Sequence, residues 1–337
     1  MDGTVAAGPV EGELLAAARG GEGRAFGLLV EPHLRALHLH CYRMLGSFDD
    51  ADEALQEALL RAWRALGTFQ ERAPLRHWLI RIATNACLKA IERKGRQPAT
   101  TGEIDYLQPY PDDLLTEAVA DPAAVVEGRE SVALAFIVAL QRLPATQRAA
   151  LILKDVLGWR SAEVADLLGS SAPAVDSLLQ RARGTLGAAA GPRRPLDGQD
   201  EAVLGRFVDA WRRCDFAAIA AVLHEDAVLR MPPDLVVVHG RGEVTRFLAT
   251  VPAGGRLDLF TLTETRANGH RAFAAYLPEG DTGTAHGCGL TVCTVAGDRI
   301  ATVTGFRVPS LFARFGLPYV RSAAVRSCAV PGRPAGG

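Results

Sequence analysis

The stretch Phe69 to Arg96, FQERAPLRHWLIRIATNACLKAIERKGR, carries Arg72, Arg76, Arg81, Lys89, Arg93, Lys94 and Arg96 against only Glu71 and Glu92. Cations at this density suit the neutralisation of phosphates. Trp78 shares a helical face with Leu75, Leu79 and Ile82, which suits core packing. Upstream, FDDADEALQEALLRAW places Asp50, Asp52, Glu53, Gln56 and Glu57 at the start of a helix, where acids either complement the dipole or form an acidic docking face. Downstream, Ser171, Asp176, Ser177, Gln180, Arg181 and Arg183 are the polar groups of a short helix that follows a Gly-Ser-Ser turn. Arg181 and Arg183 suit phosphates, whereas Asp176 can accept from a cytosine amino group but repels phosphate. His224, Asp226, His239 and His286 are the remaining groups able to do acid and base work. No buried acid-base pair is legible among them, and each has an ordinary structural reading: a helix end, a Gly turn, a strand.

Helices must position the first three sets. Leu55, Leu59, Ala62 and Leu66 recur at helical spacing after Asp49-Asp50, and Leu75, Leu79, Ile82, Ala86 and Ala90 do so again. A preceding helix is expected from about Arg24 to Leu45, with Pro32 as a kink or restart. The stretch Leu143 to Leu186 predicts two short helices with a turn between them. The first runs from about Ser161 to Leu168, Gly169 ends it, Ser171 caps the next and Pro173 suits its first turn. From about Asp200 the pattern becomes mixed. Leu204, Phe207, Val208 and Trp211 share a helix face, a second helix runs through Ile219 to Leu223, and strands follow. Leu257 to Thr263 alternates up to the Asn268-Gly269 hairpin signal, His270 to Leu277 returns, and Thr284 to Val295 pairs with Arg299 to Val308 about Gly297-Asp298. The expectation is an antiparallel meander wrapped on helices.

Two breaks separate these zones. Gln97 to about Pro122 holds four prolines and several acids, and inside it Tyr106 to Pro111, YLQPYP, forms an aromatic and proline cluster that a flexible tether would not need. Ala188 to Gly198 is rich in Gly and Pro. A chain of 337 residues fits two or three cores. Its formal charge of −1, from 37 basic and 38 acidic residues, argues against a protein that holds DNA by its own electrostatics. The cysteines Cys41, Cys87, Cys214, Cys288, Cys293 and Cys328 show no zinc spacing, so no metal and no cofactor are expected. The amino terminus does not read as a secretory signal, and the longest apolar run, Leu134 to Leu140, is far short of the roughly 20 residues of a membrane span. A cytoplasmic protein without a membrane partner is expected.

Phe48 to Trp63 resembles region 2 of the sigma-70 family, in which an acidic, Gln-bearing helix face binds the clamp helices of the RNA polymerase β′ subunit; Asp50, Ala51, Asp52, Glu53, Gln56 and Glu57 match. Phe69 to Arg96 resembles regions 2.3 and 2.4, implying that the loop Gln70 to Leu75 captures a base of the −10 element and that Arg72, Arg76, Trp78, Arg81, Asn85, Lys89 and Arg93 lie along that DNA. Lys89 departs from the family, which commonly has Asp there. Leu143 to Leu186 resembles region 4, so that Ser171, Asp176, Ser177, Gln180, Arg181 and Arg183 would face the −35 element; many relatives carry a basic residue or Asn where Asp176 stands. Region 2 followed directly by region 4 resembles the extracytoplasmic-function (ECF) group, whose members are usually held inactive by a separate anti-sigma protein. Asp200 to Cys328 looks like the SnoaL-like, NTF2-like fold, on the strength of Phe207 to Trp211, Leu223 to Ala227, Met231-Pro232-Pro233, Gly240-Arg241-Gly242 and Thr265 to Gly269.

The resemblance implies a multidomain chain, with two all-α sigma domains, a region 2 helical bundle and a region 4 helix-turn-helix, followed by an α+β NTF2-like cone. The expected boundaries are 13–96 for region 2, 97–130 for an acidic, Pro-rich linker, 131–187 for region 4, 188–199 for a second linker and 200–328 for the SnoaL-like domain. The implied partners are RNA polymerase core and promoter DNA, with an intramolecular contact between the carboxyl-terminal domain and the sigma regions or the linker. Two other readings stay open: an NTF2-like enzyme fused to a DNA-binding regulator, and a polymerase-independent repressor that uses only Ser161 to Arg183.

Overall fold

The computed structural model describes residues 9–95, 104, 106–117, 132–187, 198–280 and 282–322. Arg96, half of the first break, residues 188–197 and Cys328 lie outside the described residues. The chain divides into two compact bodies: 1–197 together with 232–235 and 266–270, and the remaining residues from Gly198 onward.

The first body is helical. Helices α1 (Pro9–Arg19) and α2 (Gly23–Val30) lead into a short 3-10 turn at Glu31–His33, where Pro32 sits, and then into α3 (Leu34–Leu45). The expected helix with a proline restart is thus observed. At the end of α3, Gly46 takes the left-handed conformation at φ 72°, and a Cβ there would stand 2.9 Å from Gln141 Cδ, so only glycine fits. Ser47 caps α4 (Phe48–Ala65), its Oγ accepting from the Asp50 amide at 3.2 Å. The fully covered face of α4 is the alanine stripe Ala51, Ala54, Ala58 and Ala62, whereas the expected core leucines Leu55 and Leu59 are only half-buried. Small residues at these positions let α3 and α5 (Leu75–Arg93) approach closely. On α5 the buried side chains are Leu75, Leu79, Ile80, Ala83, Ala86, Cys87, Ala90 and Ile91.

After α6 (Asp112–Glu117) come α7 (Leu134–Gln141) and α8 (Ala145–Leu151), the latter running into a π segment at Ile152–Val156. Buried Arg148 donates through its Nη groups to the carbonyl of Met44 at 2.5 Å, Gln141 Oε1 at 2.5 Å and the carbonyl of Leu143 at 3.1 Å. A buried cation is tolerated only with this many acceptors. Helices α9 (Ser161–Leu168) and α10 (Ala172–Gly187) close the body. Gly169 ends α9 at φ 61°, and Ser171 Oγ accepts from the Ala174 amide at 3.4 Å, which is the turn the sequence predicts.

The second body is α+β. Helices α11 (Gly198–Arg212) and α12 (Phe216–Val222) precede a sheet of β1 (Leu223–Arg230), β2 (Val237–His239), β3 (Thr261–Ala267), β4 (His270–Pro278), β5 (Thr284–Ala296), β6 (Arg299–Phe306) and β7 (Val320–Ser322), with α13 (Arg241–Thr250) and α14 (Ser310–Arg314) between strands. The strand order is β2-β1-β6-β5-β4-β3, and β7 also pairs with β5. The sheet is mixed, not a pure meander, because β1 runs parallel to β6 (Leu229 opposite Val303) while β4, β5 and β6 are antiparallel. Leu257 to Leu259 is a 3-10 turn and β3 starts only at Thr261, which corrects the longer strand expected there. Leu223 opens β1 instead of closing a helix. The core gathers Phe207, Trp211, Ile219, Leu223, Leu229, Val244, Leu248 and Val303 between sheet and helices.

Candidate polymerase and promoter interface

The acidic set divides by burial along α4. Glu53, Gln56 and Glu57 are exposed, and Asp50 and Asp52 are half-buried. Each described carboxylate of the set meets a positively charged or imidazole group. Asp50 pairs with Lys94, Glu53 meets Arg93 at 2.5 Å and Lys94 at 3.3 Å, and Glu57 takes Arg61 one turn on at 2.6 Å. Asp52 Oδ1 lies 3.2 Å from His38 Nε2. The acid face of α4 and the basic end of α5 are therefore cross-linked, and Arg93 is tied to Glu53 instead of standing free.

On α5, Arg76, Asn85 and Lys89 are exposed, as is Arg72 in the preceding loop. Arg81, Asn85, Lys89 and Arg93 follow one another at four-residue spacing and line one face of the helix. Arg81 is engaged: its Nη1 lies 2.7 Å from Asp166 Oδ2 on α9, and nearby His77 packs on Trp159 with ring centroids 5.1 Å apart. Trp78 is half-buried against Phe69, centroids 5.1 Å apart, so its ring belongs largely to the packing of the loop.

On α10, Val175, Leu179, Ala182 and Leu186 are buried and form the packed stripe. Ser171, Asp176, Ser177, Gln180, Arg181 and Arg183 are all exposed. Besides the capping Ser171, three of them are already occupied. Asp176 Oδ1 accepts from Ser161 Oγ at 2.9 Å, bracing α10 against the start of α9. Ser177 Oγ donates back to the Pro173 carbonyl at 3.1 Å, and Arg183 grips Asp155 in a fork at 2.7 and 3.0 Å. That fork holds the Arg183 guanidinium above its ordinary range through the Asp155 hydrogen bond and charge.

Sequence reasoning leaves the Tyr106 to Pro111 cluster without a place. It packs at the α3–α4 corner. Gln108 accepts at Oε1 from the Asp49 amide at 2.9 Å and from Ser47 Oγ at 3.2 Å, donates from Nε2 to Asp49 at 2.9 Å, and its amide reaches the Gly46 carbonyl at 3.0 Å. Gln108 thus caps the helix that bears the acidic set. Tyr42 donates to the Gln108 carbonyl at 2.9 Å and accepts from Asn268 Nδ2 at 2.9 Å. Asn268, at φ 55° and fully buried, belongs to the turn 266–270 that is compact with this body. Its Oδ1 accepts from the Tyr110 amide at 2.8 Å, its amide donates to the Tyr110 carbonyl at 2.9 Å, and its Nδ2 also reaches the Val132 carbonyl at 2.6 Å. Gly269 N donates to Asp112 Oδ1 at 2.8 Å, and Arg266 meets the other oxygen at 3.3 Å. From Tyr110 the network continues: its hydroxyl lies 3.0 Å from His38 Nδ1, and His38 turns its other nitrogen to Asp52. Burial pushes both the Tyr42 and Tyr110 hydroxyls well above the phenol range, so both stay protonated. The sequence signals for Asn268, its turn propensity and its place in the SnoaL-like segment Thr265 to Gly269, say nothing of its partners.

Residues 29–97 match the Sigma-70 region 2 family, residues 133–186 the Sigma-70 region 4 family, and residues 204–303 the SnoaL-like domain. The chain is 41% identical over 315 residues to the ECF RNA polymerase sigma factor SigG of Mycobacterium tuberculosis, covering 87% of this chain and 84% of that protein. The chain belongs to the ECF RNA polymerase sigma factors. It is also 38% identical to the ECF sigma factor SigM of the same species over 176 residues, 52% of this chain and 82% of SigM. The crystal structure of the M. tuberculosis ECF sigma factor SigJ superposes with a TM-score of 0.63 at 26% identity, covering 86% of this chain and all of that one. As an ECF sigma factor the chain works with RNA polymerase core at promoter DNA. Among the described residues no helix is long and apolar enough to cross a membrane, and no group of His, Cys, Asp and Glu could hold a metal ion.

Proposed function

We propose that the exposed part of the α4 acid face, Glu53, Gln56 and Glu57 with Asp50 and Asp52 behind it, engages the clamp helices of the β′ subunit. Arg72, Arg76, Trp78, Arg81, Asn85, Lys89 and Arg93 then follow the −10 element, and Ser171, Asp176, Ser177, Gln180, Arg181 and Arg183 the −35 element. The observation that carries this reading is the aligned, outward stripe Arg81, Asn85, Lys89 and Arg93 on a helix whose opposite face is core. Domains at 13–96, 131–187 and 200–328, with linkers between, accompany it. The work is cytoplasmic and non-enzymatic, since stabilising protein and DNA contacts needs no catalytic group.

The part of the chain after region 4 regulates these contacts from within. What supports this is the chain of contacts from Asn268 through Tyr110 and His38 to Asp52, which joins a turn between β3 and β4 to the polymerase-facing helix. The test is promoter-specific transcription with core enzyme, comparing the full chain, a chain lacking 198–337 and Asn268→Ala. Activity altered in the same direction by both changes is expected. Equal activity in all three would sink the regulatory reading and leave the sigma-factor reading standing.

A further inference from the structure

The second body contains a cavity of about 320 Å³ between the sheet and its helices. Its wall is mainly apolar, with Leu229, Met231, Phe247 and Phe306 prominent and Trp211 among them, and Thr291 and Arg307 are its polar members. None of His224, Asp226, His239 and His286 lines it, which removes the acid and base groups that the sequence offered for this site. His286 instead pairs with Glu279 at 2.7 Å, and His224 Nδ1 accepts from the Asp226 amide at 3.1 Å. The one thiol on the wall, Cys288, is pushed up by desolvation and stays protonated, so it is no nucleophile.

Two observations point to an occupant. Trp211 is 8% exposed, and its indole N–H, a donor only, finds no acceptor among the described residues. A buried donor left unpaired is costly, and an acceptor brought by a ligand removes that cost. Space is also reserved at Gly305 on β6. A Cβ built there would meet nothing nearer than Met231 Cγ at 3.8 Å, so the missing side chain is not demanded by crowding and leaves volume in the cavity. The size falls at the lower end of the roughly 300–1,000 Å³ range of small-molecule sites.

We propose that this cavity binds a compact, uncharged, largely apolar molecule with a hydrogen-bond-accepting oxygen, such as a ketone, ester or lactone, whose oxygen takes the Trp211 N–H. It is a binding site and not a catalytic one, and it stands independently of the regulatory reading above. The experiment titrates the full chain with 6-propionyl-2-(dimethylamino)naphthalene, a neutral aromatic ketone whose emission moves to the blue in apolar surroundings. Saturable binding of one equivalent is expected. Gly305→Leu and, from β4 two strands away, Ala275→Leu fill the cavity and abolish it, with circular dichroism and thermal melting showing that at least one remains folded. Trp211→Phe keeps the ring and removes the donor, weakening binding about threefold to tenfold. Absence of saturable binding, or binding unchanged in a folded cavity-filled variant, overturns the site. Undiminished affinity in Trp211→Phe overturns the assigned acceptor. Binding that appears only once 323–337 is removed also overturns the proposal, by giving the cavity to the chain's own tail.

Discussion

Asp176 stands where the proposed −35 reading would seek a base contact, and its geometry gives it other work. It accepts from Ser161 and joins the two helices of the turn. Asp176→Asn, which preserves an acceptor at nearly the same place, is expected to leave the base preference at −35 unchanged in a promoter-library selection. Under the proposed −35 reading, Arg181, exposed and with no such tie to α9 among the described residues, is the better candidate for a phosphate contact. Arg181→Ala is expected to weaken binding of the holoenzyme across all −35 sequences and to flatten the slope of log affinity against log salt by about one. His40 shows a different residue-scale effect. Buried with Arg43 nearby and its Nε2 2.8 Å from Thr84 Oγ1, it is pushed down to about 3, chiefly by desolvation. The unfolded chain therefore binds the proton that the folded chain refuses. Stability contributed by neutral His40 is complete above its unfolded pKa of about 6.5 and is lost as pH falls toward 3, by up to about 1.4 kcal/mol per pH unit. Urea unfolding of wild type and His40→Gln at pH 7.5 and 5 checks this; the variant is expected to lose less on acidification.

At the scale of elements, helices were legible from spacing because each buried stripe repeats every three or four residues. Ser161–Leu168 and its Gly169 end could be placed from sequence to the residue, since the cap chemistry is local. The Leu257 strand was misplaced because alternation over four residues fits a 3-10 turn leading into β3 equally well, and the parallel β1–β6 pairing was invisible because register between distant strands leaves no local mark. The sites were half legible. Exposure of α5 and α10 follows from their polar faces, but the partners that occupy Arg81, Arg93 and Arg183 come from far along the chain. Arg81 must leave Asp166 before it can meet a phosphate. An exposed pair of this kind is worth roughly 0.2–1 kcal/mol, so Asp166→Asn is expected to strengthen −10 binding by no more than about fivefold in an anisotropy titration of holoenzyme. A tenfold loss would show that Asp166 supports the bound form. The α3–α4 corner is less forgiving. Gly46→Ala places a Cβ on Gln141 at positive φ, with an expected loss of at least about 1 kcal/mol in chemical unfolding.

For the molecule as a whole, the near-neutral charge is spent in pairs. Arg81 faces Asp166, Arg93 faces Glu53 and Arg183 faces Asp155, so three of the cations that the DNA-binding reading needs are paired with the chain's own acids, while Arg72, Arg76, Lys89 and Arg181 are exposed. Little independent affinity for DNA follows, and a gel shift without core enzyme is expected to show none at physiological salt. The turn at Asn268 carries a last consequence. A separate inhibitor releases its target on dilution, because occupancy depends on the concentrations of both. A turn carried in the same polypeptide meets its seat on Tyr42, Tyr110 and Asp112 at a fixed effective concentration. The fraction of chains with the turn seated then does not depend on how much of the protein is present, so a competing contact or a substitution at the seat shifts it where dilution does not.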